Sequence, residues 1–188
     1  VKAYSKINNL LKNKEPLYTT YTLNYSELST KNKRKNFRKC PLIKKELQAS
    51  TIDYKKDTIY DIGHLSPCID FQQSRKTLIE NSYFINTVPQ NYILNRGLWR
   101  QLELYIDELS KKCKCNIQVY TGIIHGEKKL GSIKIPTFLY KLIIIEKNIF
   151  AYKIPNEKPT KSSFTEYSEN PTILIDLINS YNFEKILK

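Results

Sequence analysis

Residues 60 to 105 read YDIGHLSPCIDFQQSRKTLIENSYFINTVPQNYILNRGLWRQLELY, and the rest of the chain is best read outward from them. The stretch opens on a β-favouring run that carries Asp61, Ile62, Gly63 and His64. A short polar segment follows, then a second apolar run that ends in Asn86, Thr87, Val88, Pro89 and Gln90. Near Asn91 the period changes. Leu94, Leu98, Leu102, Tyr105, Ile106 and Leu109 recur at helical spacing. On one continuous helix, Asn95, Trp99 and Glu103 stand at i, i+4 and i+8 and form a slowly drifting stripe. A strand histidine and a helix asparagine in one compact unit suit a single metal-dependent site.

These blocks resemble the DNA/RNA non-specific endonuclease family, the sugar-non-specific and endonuclease G-like enzymes with a ββα-metal (His-Me finger) fold. The family pattern is D-R-G-H with L-x-P after it, then N-x-x-P-Q, then N-x-G-x-W-x-x-L-E. The matching residues are Asp61, Gly63, His64, Leu65 and Pro67; Asn86, Pro89 and Gln90; and Asn95, Gly97, Trp99, Leu102 and Glu103. Three ordered blocks at fitting separations carry far more information than one short pattern. One position departs: Ile62 stands where the family has arginine.

The resemblance implies roles. His64 is the expected general base, since a neutral imidazole can take a proton from water near physiological pH. Asn95 is the expected direct ligand of a divalent cation, Mg2+ or alternatively Mn2+, because a hard cation with few protein oxygens keeps open positions for phosphate. Glu103 is expected to orient water at that cation, and Asn86 to support the site by hydrogen bonding. Arg96 and Arg100 share the helix with Asn95 and are candidate phosphate contacts, with surface solvation as the plainer reading. Trp99 is read as packing rather than chemistry. His125, in a turn-like His125-Gly126-Glu127, is read as a loop residue with no role.

Length and composition are compatible with this reading. At 188 residues the chain is long enough for one domain with a proper core. Its 40% hydrophobic and 12% aromatic content argue against disorder. The longest apolar run, Leu139 to Ile145, is broken by Lys141 and far too short for a membrane span. A formal charge of +13 suits a polyanionic partner, DNA or double-stranded RNA. The same excess of lysine and asparagine also follows from an AT-rich coding sequence, so charge alone is weak support.

Outside the central stretch, Leu17 to Leu23 reads as a strand, as do Asn116 to Ile124 and Ile149 to Ile154. Ile135 to Lys141 resembles the family's proline-to-lysine strand. Thr172 to Ser180 reads as a terminal helix and Lys158 to Asn170 as a loop. Val1 to Pro16 is polar and basic, with Ile7, Leu10 and Leu11 as anchors of an expected short helix. Its arrangement is not that of a signal peptide, and with no methionine the chain is expected to be a processed or trimmed piece. Ser29 to Lys39 (STKNKRKNFRK) reads as an exposed loop, either a phosphate-contacting lip or, slightly favoured, a solvated surface. Asn24-Tyr25-Ser26 is a glycosylation triplet of the kind that arises often by chance.

Four cysteines, Cys40, Cys68, Cys113 and Cys115, allow three pairings. A bond from Cys113 to Cys115 would close a very small ring, so cross-pairing with Cys40 and Cys68 is expected. The even count, with the resemblance to secreted arthropod-type members, points to an extracellular setting; a mitochondrial or other intracellular protein with reduced thiols is the alternative. The expected architecture is α+β, a mixed or antiparallel central sheet flanked by helices, in a single domain compatible with a homodimer. The expected function is Mg-dependent, sequence-non-specific endonucleolytic cleavage of DNA, RNA or both. The alternatives are a catalytically weakened homologue that binds nucleic acid, for which Ile62 argues, and a secreted interaction protein on the same scaffold.

Overall fold

The computed structural model describes residues 2–4, 14–27, 33, 35–55, 59–72 and 74–181. Its centre is a five-stranded, wholly antiparallel sheet in the order β1-β2-β5-β8-β9. The strands are β1 (Lys2–Tyr4), β2 (Tyr18–Leu23), β5 (Ile117–Ile124), β8 (Phe138–Ile145) and β9 (Asn148–Pro155). Three of these fall close to where Tyr/Thr density and alternation put them. The proline-led strand starts later than expected, at Phe138, and runs on to Ile145.

The apolar run Leu139 to Ile145 reflects a strand covered on both faces. Leu139, Ile143 and Ile145 join the cores on one side, while Tyr140 and Leu142 join the core on the other. The second side is closed by α4 (Pro171–Ser180), through Leu174 and Ile178. Asn170 caps that helix, accepting from the Thr172 amide, and Pro171 occupies its first turn.

The first side carries the unit that the central stretch encodes. β3 (Tyr60–His64) pairs antiparallel with β4 (Thr87–Asn91), in register Asp61 to Gln90 and His64 to Thr87. Between them lie a 3-10 turn, Cys68–Phe71, the short helix α2 (Arg75–Asn81) and a second 3-10 turn, Phe84–Asn86. A four-residue helix, α1 (Thr51–Tyr54), precedes β3, and a small hairpin of β6 (Lys129–Leu130) and β7 (Ile133–Lys134) lies beyond β5.

The helix after β4 differs from the uninterrupted one that periodicity suggests. Asn91 caps a short turn, Tyr92–Leu94, with its side chain accepting from Ile93 and Leu94 amides. A wide π-turn, Asn95–Trp99, follows, broken at Gly97 (φ −104°, ψ −110°). Only then does α3 (Arg100–Cys113) run regularly. Leu98 and Trp99 join Leu65, Val88, Ile123 and Leu139 in one core, and Leu102 and Ile106 join Val119 and Ile143 in the next. Tyr105 stays exposed and packs on Phe164 at 5.3 Å between ring centroids.

The cysteine expectation is overturned. Lys114 ends α3 in a left-handed conformation (φ 53°, ψ 37°), which folds the chain back. The Cα atoms of Cys113 and Cys115 come to 5.2 Å and the two are joined by a disulfide. Cys40 and Cys68 are not disulfide-bonded. The helix expected on Ile7, Leu10 and Leu11 lies outside the described residues, as does part of the basic run at 29–39. No helix among the described residues is long and apolar enough to cross a membrane.

Candidate active site

His64 closes β3, and the chain around it is tightly constrained. Gly63 has to be glycine: a Cβ there would lie 2.3 Å from Oε1 and 2.6 Å from Cβ of Gln90. The turn leaving His64 is held by Asn86. Its backbone carbonyl accepts from the Leu65 amide at 2.9 Å, and its Oδ1 accepts from the Ser66 amide at 2.9 Å. Its Nδ2 donates to the carbonyls of Ser66 (3.0 Å) and Asn81 (2.9 Å). Buried and fully engaged, Asn86 supports the strand end from behind. Phe37, from the basic run, lays its ring against the His64 imidazole at 4.8 Å.

Asn95 sits at the start of the π-turn, with its side chain fixed by β3. Its Nδ2 donates to Asp61 Oδ2 at 2.9 Å. A carboxylate only accepts, so the amide nitrogen must face Asp61 and the amide oxygen is the end left for a ligand. The same carboxylate takes a forked pair from Arg96, Nε to Oδ2 at 2.9 Å and Nη2 to Oδ1 at 2.7 Å. Arg96 is nonetheless 68% exposed at its side chain and lies over the Tyr92 ring.

Glu103 lies on the first turn of α3, its side chain 15% exposed. Burial pushes its carboxyl up to about 7; Lys141 opposes that rise, and Asp107 adds to it. Lys141, fully buried on β8, stands 3.8 Å from Glu103 Oε1. Its ammonium donates to Thr121 Oγ1 at 3.0 Å and the Leu65 carbonyl at 3.4 Å, and lies 4.7 Å from the Trp99 ring centre. Burial lowers the lysine, with Glu103, Asp70 and Asp107 pulling it back up. Burial raises Asp70 and Asp107 as well, and the charge of Asp107 adds to the rise of Asp70. One buried cation therefore serves three carboxyls, and through Leu65 it ties the strand end to the helix.

His64, Asn95, Arg96, Arg100 and Glu103, with Ile62, line one cleft of about 350 Å³. Five of the six residues expected at the site are thus brought together. Asn86 is not among the cleft's lining. Ile62 does face the cleft beside His64, as strand alternation predicts. Trp99, expected as packing, is buried. His125, expected to have no role, instead pairs with the buried Glu15, Nδ1 to Oε1 at 2.7 Å.

Three contributors escaped sequence reading. The Lys141 cluster was visible only as a charge interrupting an apolar run. Phe37 lay inside what read as a solvated loop. Asn156 gave no signal, yet it accepts from the Asn91 amide at 2.8 Å and donates to Pro89 and Pro136 carbonyls. It thereby fastens β4 and the start of the helical turn to the sheet.

No three His, Cys, Asp or Glu side chains gather as a ligand set among the described residues. The donor set offered to a cation is thus sparse and hard, an amide oxygen at Asn95 with a carboxylate at Glu103 nearby. That fits an ion such as Mg2+, which keeps most of its waters and is usually bound by few protein oxygens.

Mitochondrial nuclease EXOG of Danio rerio is 30% identical over 145 residues, 66% of this chain. The chain spans 42% of that protein's length. A salivary endonuclease of Lutzomyia longipalpis is 40% identical over 78 residues, 42% of this chain and 19% of that protein. A chain in the crystal structure of the EndoG/EndoGI complex superposes with a TM-score of 0.76, covering 92% of this chain and 78% of its own length at 21% identity. The family model for DNA/RNA non-specific endonucleases matches residues 1–187, and the chain belongs to that family.

Proposed function

We propose that this chain is a divalent-metal-dependent endonuclease that hydrolyses the phosphodiester backbone of DNA, RNA or both without sequence preference. The observation that carries the reading is the convergence of His64 from the first sequence block, and Asn95 and Glu103 from the third, on one arginine-bearing cleft. In this reading His64 takes a proton from the attacking water. Glu103, in its ionised form, accepts a hydrogen bond from a water and orients it. A cation held at the Asn95 amide oxygen would supply charge neutralisation at the phosphate and the leaving oxygen. Asp61 keeps that amide turned the right way and also occupies two of the Arg96 donors. Arg100, which also lines the cleft, is then the stronger contact to a phosphate. Asn86 acts by holding the turn after His64 and touches no reacting atom.

A second reading, nucleic-acid binding with little cutting, has one residue behind it: the apolar Ile62 lines the cleft where the family pattern carries arginine. We place the protein in an oxidising, extracellular setting, supported by the Cys113–Cys115 disulfide and the likeness to a salivary endonuclease; the mitochondrial relatives name the rival. The deciding experiment is digestion of supercoiled plasmid and of double-stranded RNA, with Mg2+ or with chelator, by the native protein and by His64→Ala. Cleavage that needs the metal and disappears in His64→Ala supports the enzyme. Equal cutting by His64→Ala removes the histidine from the mechanism, and binding without cutting by the native protein favours the second reading.

A further inference from the structure

The run from Lys31 to Lys45, KNKRKNFRKCPLIKK, contains eight Lys or Arg and no acidic residue. Composition alone leaves it a solvated loop. Its described part is tied down beside the cleft. Phe37 contacts the His64 ring at 4.8 Å and stacks on Phe84 at 5.8 Å. Next to it, the Arg38 amide donates to the Ser82 carbonyl at 3.1 Å and the Arg38 carbonyl accepts from Phe84 at 3.0 Å, a one-residue bridge to the segment that leads into β4. Further along, Gln48 pins the backbone, its Oε1 accepting from Cys40 N (2.7 Å) and its Nε2 donating to Cys40 O (2.9 Å) and Ile43 O (2.7 Å). Lys39 donates to the Lys45 carbonyl at 2.7 Å and closes the same loop. Lys33 and Arg38 are exposed and Lys35 is half-buried. None of the three is ion-paired among the described residues.

We propose that this basic segment is a substrate-flank binding strip, which takes the phosphate backbone of a nucleic acid where it leaves the cleft past His64. The proposal rests on the nuclease reading. It adds a surface separate from the catalytic residues, with a separate job. A cleft of about 350 Å³ encloses only a small part of a polynucleotide, so the flanks must run over its rim. On the His64 side, Lys35 and Arg38 stand on backbone hydrogen-bonded to Ser82, and neither they nor Lys33 is ion-paired among the described residues. Fixed cations contact successive phosphates and release counterions, which gives affinity with steep salt dependence and no base preference. The Phe37 contact sets where the strip passes the base.

The test compares the native protein with K33Q/K35Q/R38Q and with a control outside the strip, K112Q/K147Q/K158Q, from the end of α3, the β8–β9 turn and the segment after β9. Binding to a labelled 30-bp duplex is followed by fluorescence anisotropy in EDTA across a salt series. Hydrolysis of long duplex DNA and of bis(p-nitrophenyl) phosphate, too short to reach the strip, is measured with Mg2+. Neutralising three phosphate contacts should lower the slope of log K against log salt by up to about 2.7, at about 0.9 per contact. Affinity should fall about tenfold or more, KM for long DNA should rise with kcat held, and the small diester should be cut as before. An unchanged affinity and slope, or an equal fall in the control, overturns the strip. Failure of the native protein to cut either substrate, alongside lost binding in the strip variant, leaves the strip standing and sinks the catalytic reading instead.

Discussion

Replacing Lys141 with methionine keeps the length of the side chain and removes one buried charge, and its consequences follow from the separations around it. The ammonium stands 3.8 Å from Glu103 Oε1. At an effective dielectric constant of about 20, that attraction is worth roughly 4 kcal/mol. Part of it is shared with Asp70 and Asp107, which draw on the same cation. The net rise of the Glu103 carboxyl should therefore be smaller, and we expect at least about one pH unit, or about 1.4 kcal/mol. Glu103 already titrates at about 7, because burial outweighs the lysine. Without Lys141 it stays protonated further into the alkaline range.

The sign for stability is set by that raised value. A carboxyl whose folded pKa exceeds its unfolded one favours the fold at low pH and loses that contribution as pH rises through the interval. For the native protein the interval runs from about 4.5 to about 7. In Lys141→Met it extends upward. Urea unfolding of the metal-free proteins should show a loss of about 3–5 kcal/mol at pH 8, as for other broken buried pairs, and a distinctly smaller one at pH 5.5. The acid limb of the kcat/KM profile for plasmid cleavage should move to higher pH by at least one unit. Equal destabilisation at both pH values, with an unmoved acid limb, would refute the claim that Lys141 holds Glu103 ionised.

Other outcomes follow from the same contacts. Asn86→Ala leaves the buried Ser66 amide and Asn81 carbonyl without that partner and should cost about 2–5 kcal/mol in urea unfolding; kcat below the melting range should stay within about tenfold, because Asn86 scaffolds the site. Ile62→Arg places a forked cation beside His64 and should raise kcat by up to about a hundredfold with metal dependence intact; a slower variant would mean another cation already fills that place. Iodoacetamide labelling of the denatured, non-reduced protein should add two carbamidomethyl groups, at Cys40 and Cys68, and four after reduction. Labels at Cys113 or Cys115 before reduction would contradict the bond between them.

What could be read from the sequence, and what could not, divides along a physical line. Alternation and helical period report which face of an element is buried, so β2, β5, β9 and α4 were legible within a few residues. His64 was read from the first motif block, and Asn95 and Glu103 from the third, because each block is local and its spacing survives folding. Partners contributed by distant segments leave no such trace. Lys141 lies 38 positions from Glu103, and Phe37 lies 27 positions from His64; only tertiary packing brings them together. The π-turn at Asn95–Trp99 also hides from a 3.6-residue period, since one widened turn barely disturbs the apolar stripe. The Cys113–Cys115 bond was misjudged for a related reason. Ring size argued against it, but a single left-handed residue at Lys114 supplies the reversal that the bond needs.

The distribution of positive charge around the cleft separates binding from chemistry. Within the cleft, Arg96 is largely offset by its forked pair with Asp61, position 62 is apolar, and Lys141 lies beneath the surface facing three carboxyls. Arg100 also lines the cleft and, in the proposed reading, is the cation that meets a phosphate there. The strip that runs past Phe37 is different: it is rich in cations, free of acids, and not part of the cleft's lining. Charge at the rim strengthens ground state and transition state alike, and so lowers KM without raising kcat. Charge at the scissile phosphate acts chiefly on the transition state. A protein with ample rim charge and a thinned set of cations inside should bind long polyanions tightly and cut them slowly. That combination makes Ile62 the position where catalysis, rather than affinity, has most to gain.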